Sequence, residues 1–262
     1  MLVLLPPSEG KTAPLRGRPL DLATLSFPSL TATRMVLLDH LVDLAGRDPE
    51  LARKVLGVSP RQTDEVARDA ALRTAACAPA GEIYSGVLYD ALGLASLPTA
   101  AQRRAHSALI LSSALFGALR IADAIPPYRL SGDVSLPGLG TVAGLWREPL
   151  ADAMNEAASK GLIVDLRSTT YAALWRPAPD IAHRTLSVRV LQQLPDGSRK
   201  IISHFNKATK GRLVRSLLLA GTKPRNAEAF AGACELLGYT VELADISATT
   251  TPRRLDVIVT EV

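Results

Sequence analysis

The stretch LVLLPPSEGKT, Leu2–Thr12, decides how the chain is read. Leu2–Leu5 is a short continuous apolar run, and such a run reads as a buried strand. Pro6-Pro7 ends it, and the polar turn Ser8-Glu9-Gly10-Lys11-Thr12 follows. A strand running into Gly-Lys-Thr invites comparison with a phosphate-binding P-loop. That loop needs a glycine five residues before Gly10, where Leu5 stands, and the two prolines remove N–H donors it would use. A triphosphate P-loop is therefore not expected. A strand-end turn carrying Ser8, Glu9, Lys11 and Thr12 is still a good setting for a site.

Two more apolar runs, Ala108–Ala114 and Leu162–Leu166, read as buried strands that also end in polar residues. The first carries Ser112 and Ser113 and leads through Leu115–Arg120 to Pro127-Tyr128-Arg129. The second leads into Arg167-Ser168-Thr169-Thr170-Tyr171. Helices are expected at Ala32–Ala45 and Trp146–Lys160, the latter with Trp146, Leu150, Ala153 and Met154 facing inward. Another is expected from Thr99, and a further one at Pro224–Leu237. Thr185–Leu194 and Ser198–His204 read as a hairpin turned by Pro195-Asp196-Gly197, and Tyr239–Ala244 with Leu255–Glu261 as a closing strand pair. No internal repeat or linker interrupts the pattern. The expectation is one α+β domain over residues 1–262, with a mixed central sheet and surrounding helices.

Asp48–Thr74 reads as two helices, begun by Asp48-Pro49 and Ser59-Pro60 and separated by the turn Leu56-Gly57-Val58. This resembles a helix-hairpin-helix, whose apolar-Gly-apolar turn offers backbone N–H groups to a DNA phosphate without reading sequence. The same residues also suit a plain helical connection.

The densest positive charge lies in RKIISHFNKATKGRLVRS, Arg199–Ser216, which holds Arg199, Lys200, Lys207, Lys210, Arg212 and Arg215 and no acid. It reads as a strand, Lys200–His204, turning into a helix, Asn206–Ala220, with Asn206 as N-cap. At 100° per residue, Lys207 and Lys210 share the side of Leu213, Val214, Leu217 and Leu218. Arg215 is turned outward from them and Arg212 further still. Lysines at a helix N-terminus oppose the helix dipole unless an anion sits between them and the free N–H groups. The alternative is that they snorkel past the core edge into water.

Composition sets the limits. The chain has 262 residues, a formal net charge of +5 and 47% hydrophobic residues, an ordinary balance for a protein with a sizeable core. A mild positive excess suits nucleic acid, a nucleotide or a phosphorylated metabolite equally. Aromatics are only 4%, which argues against binding single strands on stacked rings. Cys77, Cys234 and four scattered histidines give neither metal-ligand spacing nor a disulfide framework, so no metal and no cofactor are expected. The N-terminal apolar run is too short to span a membrane, and no basic region precedes it. The expectation is a soluble, cytoplasmic protein.

The motifs together resemble the YaaA family of bacterial peroxide-stress proteins. LLPPSEGKT looks like the family's strand and Ser/Pro, Lys-Thr turn. GEIYSG, from Gly81, is similar to its Gly-Asp/Glu-x-Tyr-x-Gly element. ILSSALFGALRIADAIPPYRL, from Ile110, resembles its long signature, and VDLRSTTY and KIISHFNKATKGRLVR resemble two further segments. The pieces cover most of the chain in order. The resemblance implies a cytoplasmic protein that limits free iron and protects DNA under hydrogen peroxide. It also implies DNA binding through a positive cleft with a helix-hairpin-helix element.

Two functions are weighed from the residues. As a nucleic-acid binder, the chain would contact phosphates through Lys11, Arg129, Lys200, Lys207, Lys210, Arg212 and Arg215, with backbone donors at Gly57, and affinity would fall steeply with salt. As an enzyme on a nucleotide-like or phosphorylated substrate, it would use Glu9 as acid or base, with Tyr128 in the catalytic set. Arg129, Lys207 and Lys210 would hold phosphate or stabilise developing negative charge. Direct iron binding lacks a ligand cluster in the sequence.

Overall fold

Leu2–Leu5 forms strand β1, buried along its length, and it lies inside an eight-stranded sheet. The other strands of this sheet, in chain order, are β2 (Leu109–Ser113), β3 (Gly117–Leu119), β4 (Ile163–Asp165), β5 (Thr185–Gln193), β6 (Arg199–Lys200), β7 (Thr240–Leu243) and β8 (Arg253–Val259). The structure is a computed structural model that describes residues 1–158, 160–201, 203–245 and 250–260, with the side chains of 203–205 left aside.

β1 pairs in parallel with β2 on one side, Val3 opposite Leu109, and with β4 on the other, Val3 opposite Val164. β4 pairs in parallel with β5, and β5 with β8. The antiparallel strands lie outside this core: β3 on β2, β7 on β8 and the short β6 on β5. The sheet is mixed and helices surround it, as expected, but its parallel centre belongs to α/β construction. Parallel neighbours cannot be joined by tight turns, so their connections cross over through helices.

The longer helices are α1 (Thr31–Arg47), α2 (Pro49–Val55), α3 (Thr63–Ala70), α4 (Val87–Leu92), α5 (Thr99–Ala108), α6 (Val142–Ala157), α7 (Ser203–Ala220) and α8 (Ala227–Leu236). α6 buries Trp146, Leu150, Ala153 and Met154 as the sequence suggests, and the Trp146 indole donates to Ala114 O at 2.7 Å. α2 starts where expected: the Asp48 carboxylate accepts from Leu51 N at 2.9 Å.

Other boundaries differ. Ser59 and Pro60 do not open α3. They lie in the connecting loop, where Gln62 N donates to Ser59 O, and α3 begins at Thr63. The strand expected over Lys200–His204 stops at Lys200, because β6 makes only two rungs with β5. Ile202 lies outside the described residues. The helix then starts at Ser203, so Asn206 sits inside it and is no N-cap. The closing strand ends at Val259, and Glu261, the end of the expected strand, lies outside the described residues.

The topology matters for function. The chain leaves β1 for β2 on one side and later returns through β4 on the other. The carboxyl ends of β1, β2 and β4 therefore open together where neighbouring connections diverge. Open α/β sheets bind ligands in that crevice.

Candidate functional site

The polar turns expected at strand ends meet at this edge. After β1, the chain makes a bridge between Lys11 and Tyr84, with Thr12 N donating to Ile83 O at 2.8 Å and Ser85 N to Gly10 O at 3.2 Å. The Ser8 hydroxyl lies against the carbonyls of both Gly10 and Ser85 and shares its one proton between them, so the turn is pinned to the GEIYSG segment. The Tyr89 hydroxyl donates to Pro6 O at 2.8 Å. Pro6, with no N–H to offer, still supplies an acceptor.

Beneath the turn lies a floor of hydroxyls. The Tyr128 hydroxyl sits 2.9 Å from the Tyr84 hydroxyl and 2.7 Å from the Ser113 hydroxyl, and Ser113 Oγ accepts from Phe116 N at 2.8 Å. Tyr128 is buried and packs edge-on against Phe116. Burial pushes its ionisation well above the ordinary tyrosine value. Tyr128, which the enzyme reading puts in the catalytic set, therefore lies in the floor of the site. Arg34, fully buried on α1, braces the floor from below. Its guanidinium donates to Phe116 O at 3.0 Å and to Ala118 O at 2.9 Å.

Lys11 lies on this floor. Its Nζ stands 4.3 Å from the Tyr128 ring centre and 5.6 Å from that of Tyr84, and it donates to Ser8 O at 3.1 Å. Among the described residues it makes no ion pair. Burial, opposed by Glu9 and reinforced by Arg129, lowers its pKa to about 8. The Glu9 carboxylate meets the Arg129 guanidinium at 2.5 Å, near the protein surface. Ser8, Glu9, Lys11, Tyr128 and Arg129 are thus gathered in one place.

The sequence did not single out Asp69, which α3 delivers to the same place. It is fully buried, Oδ1 accepts from Arg129 N at 2.8 Å, and Oδ2 has no partner. Burial raises its pKa to about 8, opposed by the Arg129 amide and Lys11. Glu65, one turn earlier on α3, adds negative charge near both Lys11 and Asp69. The signal in the sequence is Val66 followed three residues later by Asp69, which places a carboxylate on the apolar stripe of α3. A buried acid and a buried amine whose pKa values converge make a proton-exchanging arrangement.

The basic segment divides differently from the expectation. Lys210 does point inward: it is buried, donates to Leu166 O at 2.9 Å just past β4, and has its pKa lowered by burial to about 8 against the pull of Asp165. Lys207 is exposed, which corrects its expected inward placement. It lies one turn nearer the helix start than Lys210. Arg215, expected to face outward, donates to Leu92 O and Gly93 O at 2.9 Å each and caps α4. Arg212 and Lys200 are exposed. α7 and α4 approach closely at Gly211, where a Cβ would meet Leu88 O at 2.2 Å.

Gly57 belongs to a different place. It adopts a left-handed conformation at the end of α2 (φ +62), its N–H donates to Lys54 O, and Val58 N donates to Arg53 O. These donors close the helix end. The first turn of α3 carries Asp64 and Glu65. Near β4, Asp165 grips Arg167 through two bonds of 2.9 and 2.8 Å, and Arg167 also donates to Tyr171 O and Trp175 O. Among the described residues, no group of three His, Cys, Asp or Glu side chains is placed to hold a metal ion. No described helix is long and apolar enough to cross a membrane.

Comparison with known proteins gives one consistent result. Residues 1–244 match the family described as peroxide stress protein YaaA. A UPF0246 protein of Streptomyces coelicolor is 53% identical over 262 residues, covering 100% of both chains. A UPF0246 protein of Corynebacterium glutamicum is 42% identical over 246 residues, covering 92% of this chain and 95% of its own. A UPF0246 protein of Ruegeria is 31% identical, covering 70% and 77%.

Proposed function

The chain belongs to the peroxide stress protein YaaA family, and from that premise we propose that it acts through the carboxyl-edge site as an enzyme on a phosphate-bearing, nucleotide-like small molecule. The observation that carries this reading is Asp69, a fully buried carboxylate with an unpartnered oxygen beside the partly desolvated amine of Lys11. A surface evolved only to hold DNA phosphates has no use for a buried acid. Glu9, paired with Arg129, stands at the mouth as acid or base. Arg129 and Lys207 would hold the phosphate, and Lys210 would steady the strand end after β4. A cytoplasmic setting, protection of DNA and restraint of free iron, which the family resemblance implies, are kept as part of this reading.

A thermal-shift screen of nucleoside monophosphates, sugar phosphates and duplex DNA tests it. The expected result is stabilisation by a small phosphate ligand, lost in Arg129→Ala and Lys207→Ala. A protein that ignores every such ligand yet binds DNA with steep salt dependence would overturn the reading.

DNA binding is the second reading. Lys200, Lys207 and Arg212 favour it, being exposed and without ion-pair partners among the described residues. The Gly57 turn supports it less, because its N–H groups are already bonded and acidic residues follow. A duplex titration across a salt series separates the two. Each lysine or arginine removed should lower the salt slope by about 1.

A further inference from the structure

Lys11 is unusual among the cations of this protein in what surrounds it. Of three possible donors, one is directed to a protein acceptor, the Ser8 carbonyl. The hydroxyls of the tyrosines beneath it are bonded to each other and to Ser113. The nearby carboxylates are engaged elsewhere: Glu9 holds the Arg129 guanidinium and Asp69 the Arg129 amide. Lys11 as a residue remains partly accessible to solvent. Lys210 offers a contrast, since it is buried and its amine is committed to Leu166 O.

We propose that Lys11 is a nucleophilic amine that forms an imine with the carbonyl carbon of a phosphate-bearing aldehyde or ketone, an open-chain sugar phosphate in chemical class. The inference rests on the small-molecule reading of the carboxyl edge. A lysine that is desolvated and set beside another cation is the environment that frees an amine for attack. Four ionisable groups act on it: Glu9 and Arg129 on the loops, and Glu65 and Asp69 on α3. Burial outweighs the three acids and brings the amine to a pKa of about 8. On the order of a tenth of it is then neutral at pH 7.

The step balances within the site. The neutral amine attacks the carbonyl carbon, a C–N bond forms, and the carbonyl π pair moves to oxygen. Glu9 carries a proton from nitrogen to that oxygen, giving a carbinolamine. Glu9 takes up a second proton from solvent and delivers it to the hydroxyl; the C–O bond breaks, water leaves, and the nitrogen lone pair closes the C=N bond of a protonated imine. Nothing is oxidised or reduced. Arg129, which meets Glu9, and the exposed Lys207 would receive the phosphate.

The test is reductive trapping. The full chain is incubated with ribose 5-phosphate, reduced with sodium borohydride, digested and mapped by mass spectrometry. The expected result is a secondary-amine adduct on Lys11 ahead of every other lysine, with a yield that rises with pH through a midpoint near 8. In Lys11→Arg, which keeps a cation over Tyr128, the site-specific adduct should vanish. Labelling spread over exposed lysines, as in urea-unfolded protein, would overturn the inference. Ribitol 5-phosphate, which has no carbonyl, separates the two claims by thermal shift. Stabilisation without a Lys11 adduct removes the imine and leaves the small-molecule reading. Neither stabilisation nor adduct removes both.

Discussion

The Glu9 carboxylate meets the Arg129 guanidinium at 2.5 Å, and the backbone N–H of the same Arg129 donates to Asp69 Oδ1 at 2.8 Å. One residue therefore ties the turn after β1 to helix α3, and Lys11 lies within that bracket. Glu9 is the strongest charge holding the Lys11 proton in place. Glu9→Gln should move the Lys11 titration below about 8 and speed its acylation at pH 7. Competitive labelling with an amine reagent, read by mass spectrometry against pH, measures it. The ion pair is mostly exposed on the Glu9 side, so folding stability should change by no more than about 1 kcal/mol.

Asp69 predicts a pH signature of its own. Its folded pKa is raised to about 8, so between the ordinary carboxylate range and pH 8 the folded chain holds a proton that the unfolded chain has lost. Stability from this group is full at acid pH and falls as pH rises toward 8. Lys11 and Lys210 have the opposite sign. Their folded pKa values are depressed to about 8, so stability is regained between 8 and the ordinary lysine value. Asp69→Asn keeps an acceptor for Arg129 N and removes the acid term. Its urea stability should gain on wild type steadily from pH 5 to 8, by at least about 1 kcal/mol. Parallel curves would show that Asp69 does not titrate in this range.

Much of the fold was legible because apolar runs announce buried strands regardless of partners. Leu2–Leu5, Leu109–Ser113 and Ile163–Asp165 all lie within or beside the expected spans. Their parallel arrangement was not legible, since strand order depends on crossovers that no local pattern encodes. Glu9, Lys11 and Arg129 were legible as strand-end polar residues, but Asp69 hid as one acid in an acidic, exposed-looking helix. Arg215 misled for a related reason. Its angle on α7 points away from the core stripe, yet α4 packs so closely at Gly211 that the end of α4 reaches it. Helical angle reports direction and cannot report what a second helix brings to meet it.

Lys207 and Lys210, one turn apart, should respond in opposite ways to truncation. Lys210→Ala removes the donor to Leu166 O and opens a hole at a buried position, a loss of about 1–3 kcal/mol in urea unfolding. Lys207→Ala changes an exposed residue and should stay within about 0.5 kcal/mol. The ligand response should divide the other way, with the phosphate-induced rise in melting temperature lost in Lys207→Ala. Equal stability losses in the two variants would contradict the placement of Lys210.

Gly211 sets the distance between α7 and α4, and hence where Lys207 and Lys210 stand. A Cβ there would meet Leu88 O at 2.2 Å and the Ala91 Cβ at 2.9 Å. Neither can swing aside, because one is backbone and the other is the first atom of a side chain. Gly211→Ala must therefore push the helices apart and strain the Arg215 cap at Leu92 and Gly93. Helix propensity alone would favour alanine by about 1 kcal/mol, but overpacking costs about 1–3 kcal/mol or more and should win. The expected outcome is a net loss of stability by urea unfolding, together with a weaker phosphate response if Lys207, carried on α7, holds the phosphate as proposed. A Gly211→Ala protein as stable as wild type would mean that the two helices do not pack at this distance.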